Sequence, residues 1–206
     1  MTTEEFLRSM ESGAGVLERI RQSAYDIHES VNQKYGDIHP YGFHLDMVAD
    51  AVKKYIPEIC HDKDDLLPVL FGAYYHDAIE DARLTYSDVL RVAGTFFDNE
   101  KAHLGAEISY ALTNEKGRTR AERADERYYS LIRETPYAPL VKACDRLANV
   151  KYSSGFGTGM SHRMKAVYIS EMPHFLESIR SEHAETDPRF DVPKALVSEM
   201  LSLLTD

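Results

Sequence analysis

Leu66-Leu67-Pro68-Val69-Leu70-Phe71-Gly72-Ala73-Tyr74-Tyr75-His76-Asp77-Ala78-Ile79-Glu80-Asp81 is the stretch from which the chain is read outward. Its first half is uniformly apolar. Asp64 or Asp65 can cap a helix there, and Pro68 is tolerable because it falls in the first turn. The run therefore predicts a buried helix that continues through Asp81. Residues three and four apart share a helix face, so His76 stacks with Glu80, and Asp77 lies beside Glu80 and Asp81. Isolated charges are costly to bury, and four ionisable groups at the end of an apolar helix need compensation. A divalent metal supplies it; a solvated acidic helix end is the alternative. Further ligands elsewhere in the chain decide between the two.

Composition narrows the class. A length of 206 residues, with 43% apolar and 28% charged residues, predicts one globular domain spanning 1–206. The net charge of −10 argues against a nucleic-acid surface, which wants clustered Lys and Arg. Met1-Thr2-Thr3-Glu4-Glu5 is not a basic leader, and no apolar run approaches membrane-spanning length. Cys60 and Cys144 lack zinc-type spacing and are too few for a disulfide scaffold. The expectation is a cytoplasmic protein with reduced thiols and no membrane partner.

Helical periodicity dominates the chain. Val16, Ile20, Ala24, Ile27 and Val31 predict a helix from about Gly15 to Lys34, with Gly36 as its stop and Asp37–Gly42 as a loop. Met47, Val48, Ala51, Val52 and Tyr55 predict a second, from about Phe43 to Tyr55, ended by Pro57. Thr85 with Asp88 forms a capping box for a short helix that stops at Gly94. Further helices are predicted through His103–Leu112, Glu122–Ile132, Leu140–Tyr152, Ser161–Glu182 and Pro193–Leu204. Ser153–Gly159 reads as a flexible glycine-rich loop. No period-two alternation and no internal repeat occur, so the predicted fold is all α.

Two more places complete a constellation. His44 opens the second helix. Asp145 lies in Leu140-Val141-Lys142-Ala143-Cys144-Asp145-Arg146-Leu147-Ala148-Asn149, where Asn149 shares its face. His44, His76, Asp77 and Asp145 form a two-imidazole, two-carboxylate set suited to a borderline-hard divalent ion such as manganese. Glu80 and Asp81, one turn further on, can polarise a water or take its proton. A metal lowers the water's pKa and draws charge from a phosphoryl oxygen.

His44, His76-Asp77 and Asp145, in that order, resemble the signature of the HD phosphohydrolase superfamily. His76-Asp77-Ala78-Ile79-Glu80-Asp81 is similar to the H-D-x-x-E-D motif of the RelA/SpoT-type alarmone hydrolases. Val141-Lys142-Ala143-Cys144-Asp145-Arg146-Leu147-Ala148-Asn149 is similar to their V-K-x-x-D-R-L-x-N motif. The resemblance covers about residues 15–180, leaving a C-terminal helical extension of about 185–206, so the chain looks like a stand-alone small hydrolase of that type. It implies an HD-domain helical bundle that holds Mn²⁺ through His44, His76, Asp77 and Asp145. It further implies removal of the 3′-pyrophosphate of (p)ppGpp to give GDP or GTP. In that scheme Glu80 and Asp81 orient or deprotonate the attacking water, and Asn149 contacts the nucleotide. The family's basic pair near the nucleoside corresponds here to Gln33-Lys34, leaving Lys34 as the candidate. The competing classes are a 5′-deoxynucleotidase-like HD enzyme and a non-catalytic nucleotide-binding module.

The remaining candidates have two readings each. Lys116, Arg118, Arg120, Arg123 and Arg127 are either a solvated helix paired with Glu122, Asp125 and Glu126, or a positive rim for the substrate's far phosphates. Tyr168 is either a core tyrosine or a stacking partner for the nucleotide. His28, His39, His61, His103, His162, His174 and His183 have no partner at ligand spacing and read as surface or half-buried histidines.

Overall fold

Thr2 and Glu5 set where the first helix begins. The Thr2 hydroxyl accepts from the Glu5 N–H at 3.2 Å, and the Glu5 carboxylate accepts from the Thr2 N–H at 2.8 Å. This reciprocal cap starts α1 (Thr3–Ser30), well before the expected Gly15. Within the extra N-terminal turns, Gly13 is buried where α1 meets Leu67: a Cβ there would sit 3.0 Å from Leu67 Cδ1. The computed structural model describes residues 1–36, 38–114, 117–156 and 159–205.

After α1 the chain turns through Asn32, in the left-handed region at φ 57°, into a two-residue antiparallel pair. In it β1 (Lys34–Tyr35) aligns with β2 (His39–Pro40), Tyr35 opposite His39. Strands this short carry no readable alternation, so they were invisible as period two. Gly36 has φ +58°, and a Cβ on it would lie 2.1 Å from the Tyr152 hydroxyl oxygen. Only glycine fits that turn. Then come α2 (Gly42–Tyr55) and, after two short 3₁₀ turns, α3 (Leu66–Tyr75).

Two expectations about α3 need correction. Asp65 does not cap it; its carboxylate instead accepts from Lys101 Nζ at 2.6 Å and from the Tyr137 hydroxyl at 2.8 Å. The helix also ends at Tyr75 rather than running through Asp81. The backbone tightens there, with the Ala78 N–H bonded to the Tyr75 carbonyl at 3.0 Å. The Glu80 carboxylate accepts from the Asn114 side-chain amide at 2.8 Å, and Asp81 Oδ2 accepts from Gln33 Nε2 at 2.7 Å. These long-range bonds, and no local glycine or proline, close the helix.

The rest is helical: α4 (Tyr86–Ala93), with the predicted Thr85/Asp88 box, α5 (Asn99–Ala111), α6 (Arg120–Arg123), α7 (Glu126–Glu134), α8 (Ala138–Lys151), α9 (Gly159–Ser178) and α10 (Lys194–Thr205). The start of the glycine-rich run is not a loop but a π-helical turn, Tyr152–Phe156, continuing α8. Lys116 lies outside the described residues. The fold is an all-α bundle, with no described helix long and apolar enough to cross a membrane.

Every residue of α3 except Leu67 is buried, and the helix packs against α1, α2 and α5. Glycines let α3 and α5 approach: a Cβ on Gly72 would lie 2.6 Å from Ile108 Cγ2, and one on Gly105 2.8 Å from Phe71 Cδ1. α8 packs between α2 and α10. The start of α2, the end of α3 and the middle of α8 thereby meet at one place.

Candidate metal centre

His44 comes from the first turn of α2, His76 from the C-terminal cap of α3, Asp77 from the turn after it, and Asp145 from the middle of α8. The ligand atoms of His44, His76 and Asp145 all lie within 4.8 Å of one another. Asp77 falls outside that mutual set, yet its Oδ2 is 2.8 Å from His76 Nε2 and 3.7 Å from His44 Nε2. Asp145 Oδ1 is 3.3 Å from His44 Nε2 and 3.9 Å from His76 Nε2. A divalent ion bonded at about 2.1 Å spaces its ligand atoms roughly 3 to 4 Å apart. These separations match that spacing.

The directions fit as well as the distances. His76 Nε2 is buried and makes no hydrogen bond among the described residues, although Asp77 Oδ2 is only 2.8 Å away. The two groups attract one another as an ion pair but lack hydrogen-bond geometry, so Nε2 can turn to a metal ion without giving up a formed bond. His76 Nδ1 bonds the Ala73 carbonyl oxygen at 2.8 Å, which fixes the ring and leaves Nε2 as the ligand atom. Among the described residues His44 lacks such a partner, since its Nδ1 is buried without a hydrogen bond; Tyr35 stacks on its ring instead, with centroids 4.6 Å apart. The group can hold a metal ion.

Around the ligands sits a layer of polar support. Asp145 Oδ2 accepts from Lys142 Nζ at 2.9 Å, and Oδ1 accepts from Asn149 Nδ2 at 2.6 Å. Asn149 Oδ1 in turn accepts from the Tyr35 hydroxyl at 3.0 Å. The Tyr41 hydroxyl donates to Asp77 Oδ2 and also reaches Asp81 Oδ2 at 3.3 Å. Burial alone lowers the His76 pKa, but the Asp77 and Asp145 carboxylates outweigh it and raise it from 6.5 to about 9. Burial raises both carboxyls, yet His76 holds Asp77, and chiefly Lys142 holds Asp145, well below the usual carboxylate range. Asp81 goes the other way: burial and then the Asp77 charge raise it.

A cleft of about 560 Å³ opens over this cluster. Glu80 and Asp81 open onto it, and Asn149, Arg120 and Tyr168 line it. Two predicted substrate contacts do not. Lys34 is exposed and outside the lining because neighbours on a strand point oppositely, and Tyr35 takes the inward place. Arg118 is exposed too, with its backbone N–H bonded to Glu122 Oε2 at 2.7 Å. Tyr168 is largely buried and also faces the cleft, which joins its two readings. Asp125, expected to pair with the arginines, caps α7 through the Tyr128 N–H, and Glu126 pairs with Arg133. A larger groove of about 740 Å³ near α10 contains no histidine and none of the predicted site residues.

Several contributors were missed. His28 is fully buried rather than superficial: it stacks on Tyr41 at 4.6 Å, and its Nδ1 is 2.6 Å from Gln33 Oε1. Gln33 passes that contact on to Asp81. Lys142 was legible, standing three residues before Asp145 on the same helix. The Arg146–Glu171 contact joins α8 to α9 and left no sequence signal. No protein-family model matches this chain, and no curated protein matches it.

Proposed function

We propose that the protein is a metal-dependent phosphohydrolase of the HD type that removes the 3′-pyrophosphate of (p)ppGpp, with Mn²⁺ held by His44, His76, Asp77 and Asp145. The observation that carries this reading is the convergence of two imidazoles and two carboxylates round His76 Nε2, a buried nitrogen without a hydrogen bond among the described residues. When bound, a divalent ion supplies Lewis-acid polarisation of a phosphoryl oxygen and lowers the pKa of water. The chain's own residues do the rest. Asp81, its carboxyl raised by burial and by Asp77, takes the proton of the attacking water. The water oxygen bonds to the phosphorus as the bond from phosphorus to the 3′ oxygen breaks, the 3′ oxygen takes a proton from solvent, and pyrophosphate leaves with GDP or GTP. Glu80, tethered to Asn114 at the rim, orients the water. Asn149 keeps Asp145 aimed and presents one edge to the cleft.

A 5′-deoxynucleotidase-like enzyme would use the same four ligands, and one observation favours it: Lys34, the expected nucleoside contact, lies outside the cleft. A non-catalytic binding module has no need of Glu80 and Asp81 beside the cluster. Incubating Mn²⁺-loaded protein with ppGpp, ppApp, dAMP and NADPH, then separating products by anion exchange, tests all three. GDP and pyrophosphate from ppGpp support the proposal. Phosphate from dAMP with ppGpp untouched defeats it in favour of the nucleotidase.

A further inference from the structure

The cleft holds a second charged centre, built from residues other than the four ligands. Arg146, next in sequence to Asp145, has a side chain only 10% exposed. Its guanidinium carbon lies 4.4 Å from the Phe175 ring centroid and 4.9 Å from that of Tyr168. Arg146 Nη1 donates to Glu171 Oε2 at 2.9 Å. Arg120 donates to the same carboxylate twice, from Nε to Oε1 at 3.1 Å and from Nη2 to Oε2 at 3.0 Å. All three residues line the cleft. Among the described residues Arg146 donates only to Glu171, and none of its other nitrogens is sealed from solvent without a partner. For a side chain so enclosed, the accessible opening is the cleft itself.

Two guanidiniums, Arg146 enclosed and Arg120 about half exposed, thus converge on one carboxylate in the wall of the cleft. Arginine pairs with carboxylate and phosphate in the same forked geometry. The rings of Tyr168 and Phe175 hold the Arg146 plane ready, so little order is lost when one anion replaces another.

We propose that Arg146 and Arg120 form a second anion subsite, which Glu171 occupies when no ligand is bound, and that it takes a phosphate on the part of the substrate remote from the bond being cut. This rests on reading the cleft as that of a phosphohydrolase. A dianionic phosphate with three acceptor oxygens displaces the singly charged carboxylate, which can swing to solvent. A ligand with nothing to place there leaves Glu171 where it is and gains no affinity from the arginines. Glu171 is therefore a specificity determinant that favours nucleotides phosphorylated at two positions over those phosphorylated at one.

The test compares GDP with guanosine, since GDP carries only the remote phosphates and guanosine carries none. Their dissociation constants are measured by calorimetry for the wild-type chain, Glu171→Gln and Arg120→Ala, with thermal melts to verify folding. Glu171→Gln removes the competitor's charge, and the ratio of GDP to guanosine affinity should rise about tenfold, or about 1.4 kcal/mol. Arg120→Ala should lower that ratio by a similar factor. A ratio unchanged or lowered in Glu171→Gln overturns the proposal and makes Glu171 a strut for the arginines; so does an unchanged ratio in Arg120→Ala. Hydrolysis of ppGpp, followed in parallel, separates the two readings. Shifted ratios with ppGpp uncut leave the subsite standing without the proposed reaction. Cleavage of ppGpp with flat ratios leaves the reaction standing without the subsite.

Discussion

Metal uptake by this cluster should expel a proton, and the structure says which one and over what pH range. In the metal-free protein the Asp77 and Asp145 carboxylates raise His76 to about 9, so its imidazole is cationic at neutral pH. Nδ1 is engaged with the Ala73 carbonyl, leaving Nε2 as the atom that must shed its proton to become a ligand. Asp77 and Asp145 are already ionised and release nothing. At pH 7 the deprotonation costs about 3 kcal/mol, taking 1.36 kcal/mol per pH unit below about 9. Apparent Mn²⁺ affinity should therefore rise about tenfold per pH unit between pH 7 and 9 and level off above. The same group makes the metal-free fold pH-sensitive. Its folded value lies above the ordinary 6.5, so its stabilisation is complete below pH 6.5 and is lost as pH rises through about 9. Titrations at pH 7 in two buffers of different ionisation enthalpy count the protons directly, and about one per bound ion is expected. Binding that releases no proton, with affinity flat from pH 7 to 9, would refute this account of the cluster.

Three other outcomes are expected. Asp81→Asn should keep about one equivalent of bound metal yet lose turnover by roughly a hundredfold or more, the range for general acid–base groups; normal turnover removes Asp81 from the chemistry. Gly72→Ala forces a methyl against Ile108, where a Cβ has only 2.6 Å, and should destabilise the fold by about 1–3 kcal/mol in urea melts. An unchanged midpoint would mean that α3 and α5 separate freely. Burial raises the Glu199 carboxyl, but Lys151, Lys54 and the Tyr55 hydroxyl hold it down at about 2. Its stabilisation is present above about pH 4.5 and fades as pH falls toward 2, so Glu199→Gln should cost about 1 kcal/mol at pH 7, after discounting for partial exposure, and almost nothing near pH 2. A cost that is the same at both pH values contradicts that linkage.

Helix periodicity made the all-α class readable because α2, α3 and α8 each bury a continuous face and need no distant partner to be recognised. Caps were readable where the bond is local, as between Thr85 and Asp88. Asp65 misled for the opposite reason: its partners, Lys101 and Tyr137, lie 36 and 72 residues away, and no local pattern announces them. The candidate centre divides along the same line. Lys142 and Asn149 flank Asp145 on one helix and were in reach. Tyr35, Tyr41 and Gln33 reach the site from the two-strand turn and its flanks, and Glu171 from the far end of the chain. Only the fold brings them in.

The error about the end of α3 bears most directly on the chemistry. On a continuing helix, successive side chains point about 100° apart, so His76 and Asp77 would diverge. Nε2 and Oδ2 lie 2.8 Å apart where the regular helix gives way to turns after Tyr75, with His76 itself keeping helical dihedrals. The same departure undoes the expected stacking of His76 on Glu80. It sends Glu80 out to Asn114 at the rim and turns Asp81 back beneath Tyr41 and Gln33. A continued helix would have set Glu80 and Asp81 as equivalent neighbours one turn beyond the ligands. Both residues are exposed, yet their partners differ: Asn114 holds Glu80, whereas Asp81 meets Tyr41 and Gln33 and has its carboxyl raised by desolvation and by the Asp77 charge. Unequal surroundings are what divide two carboxylates into an orienting group and a base, and that division is why Asp81, rather than Glu80, is assigned the proton.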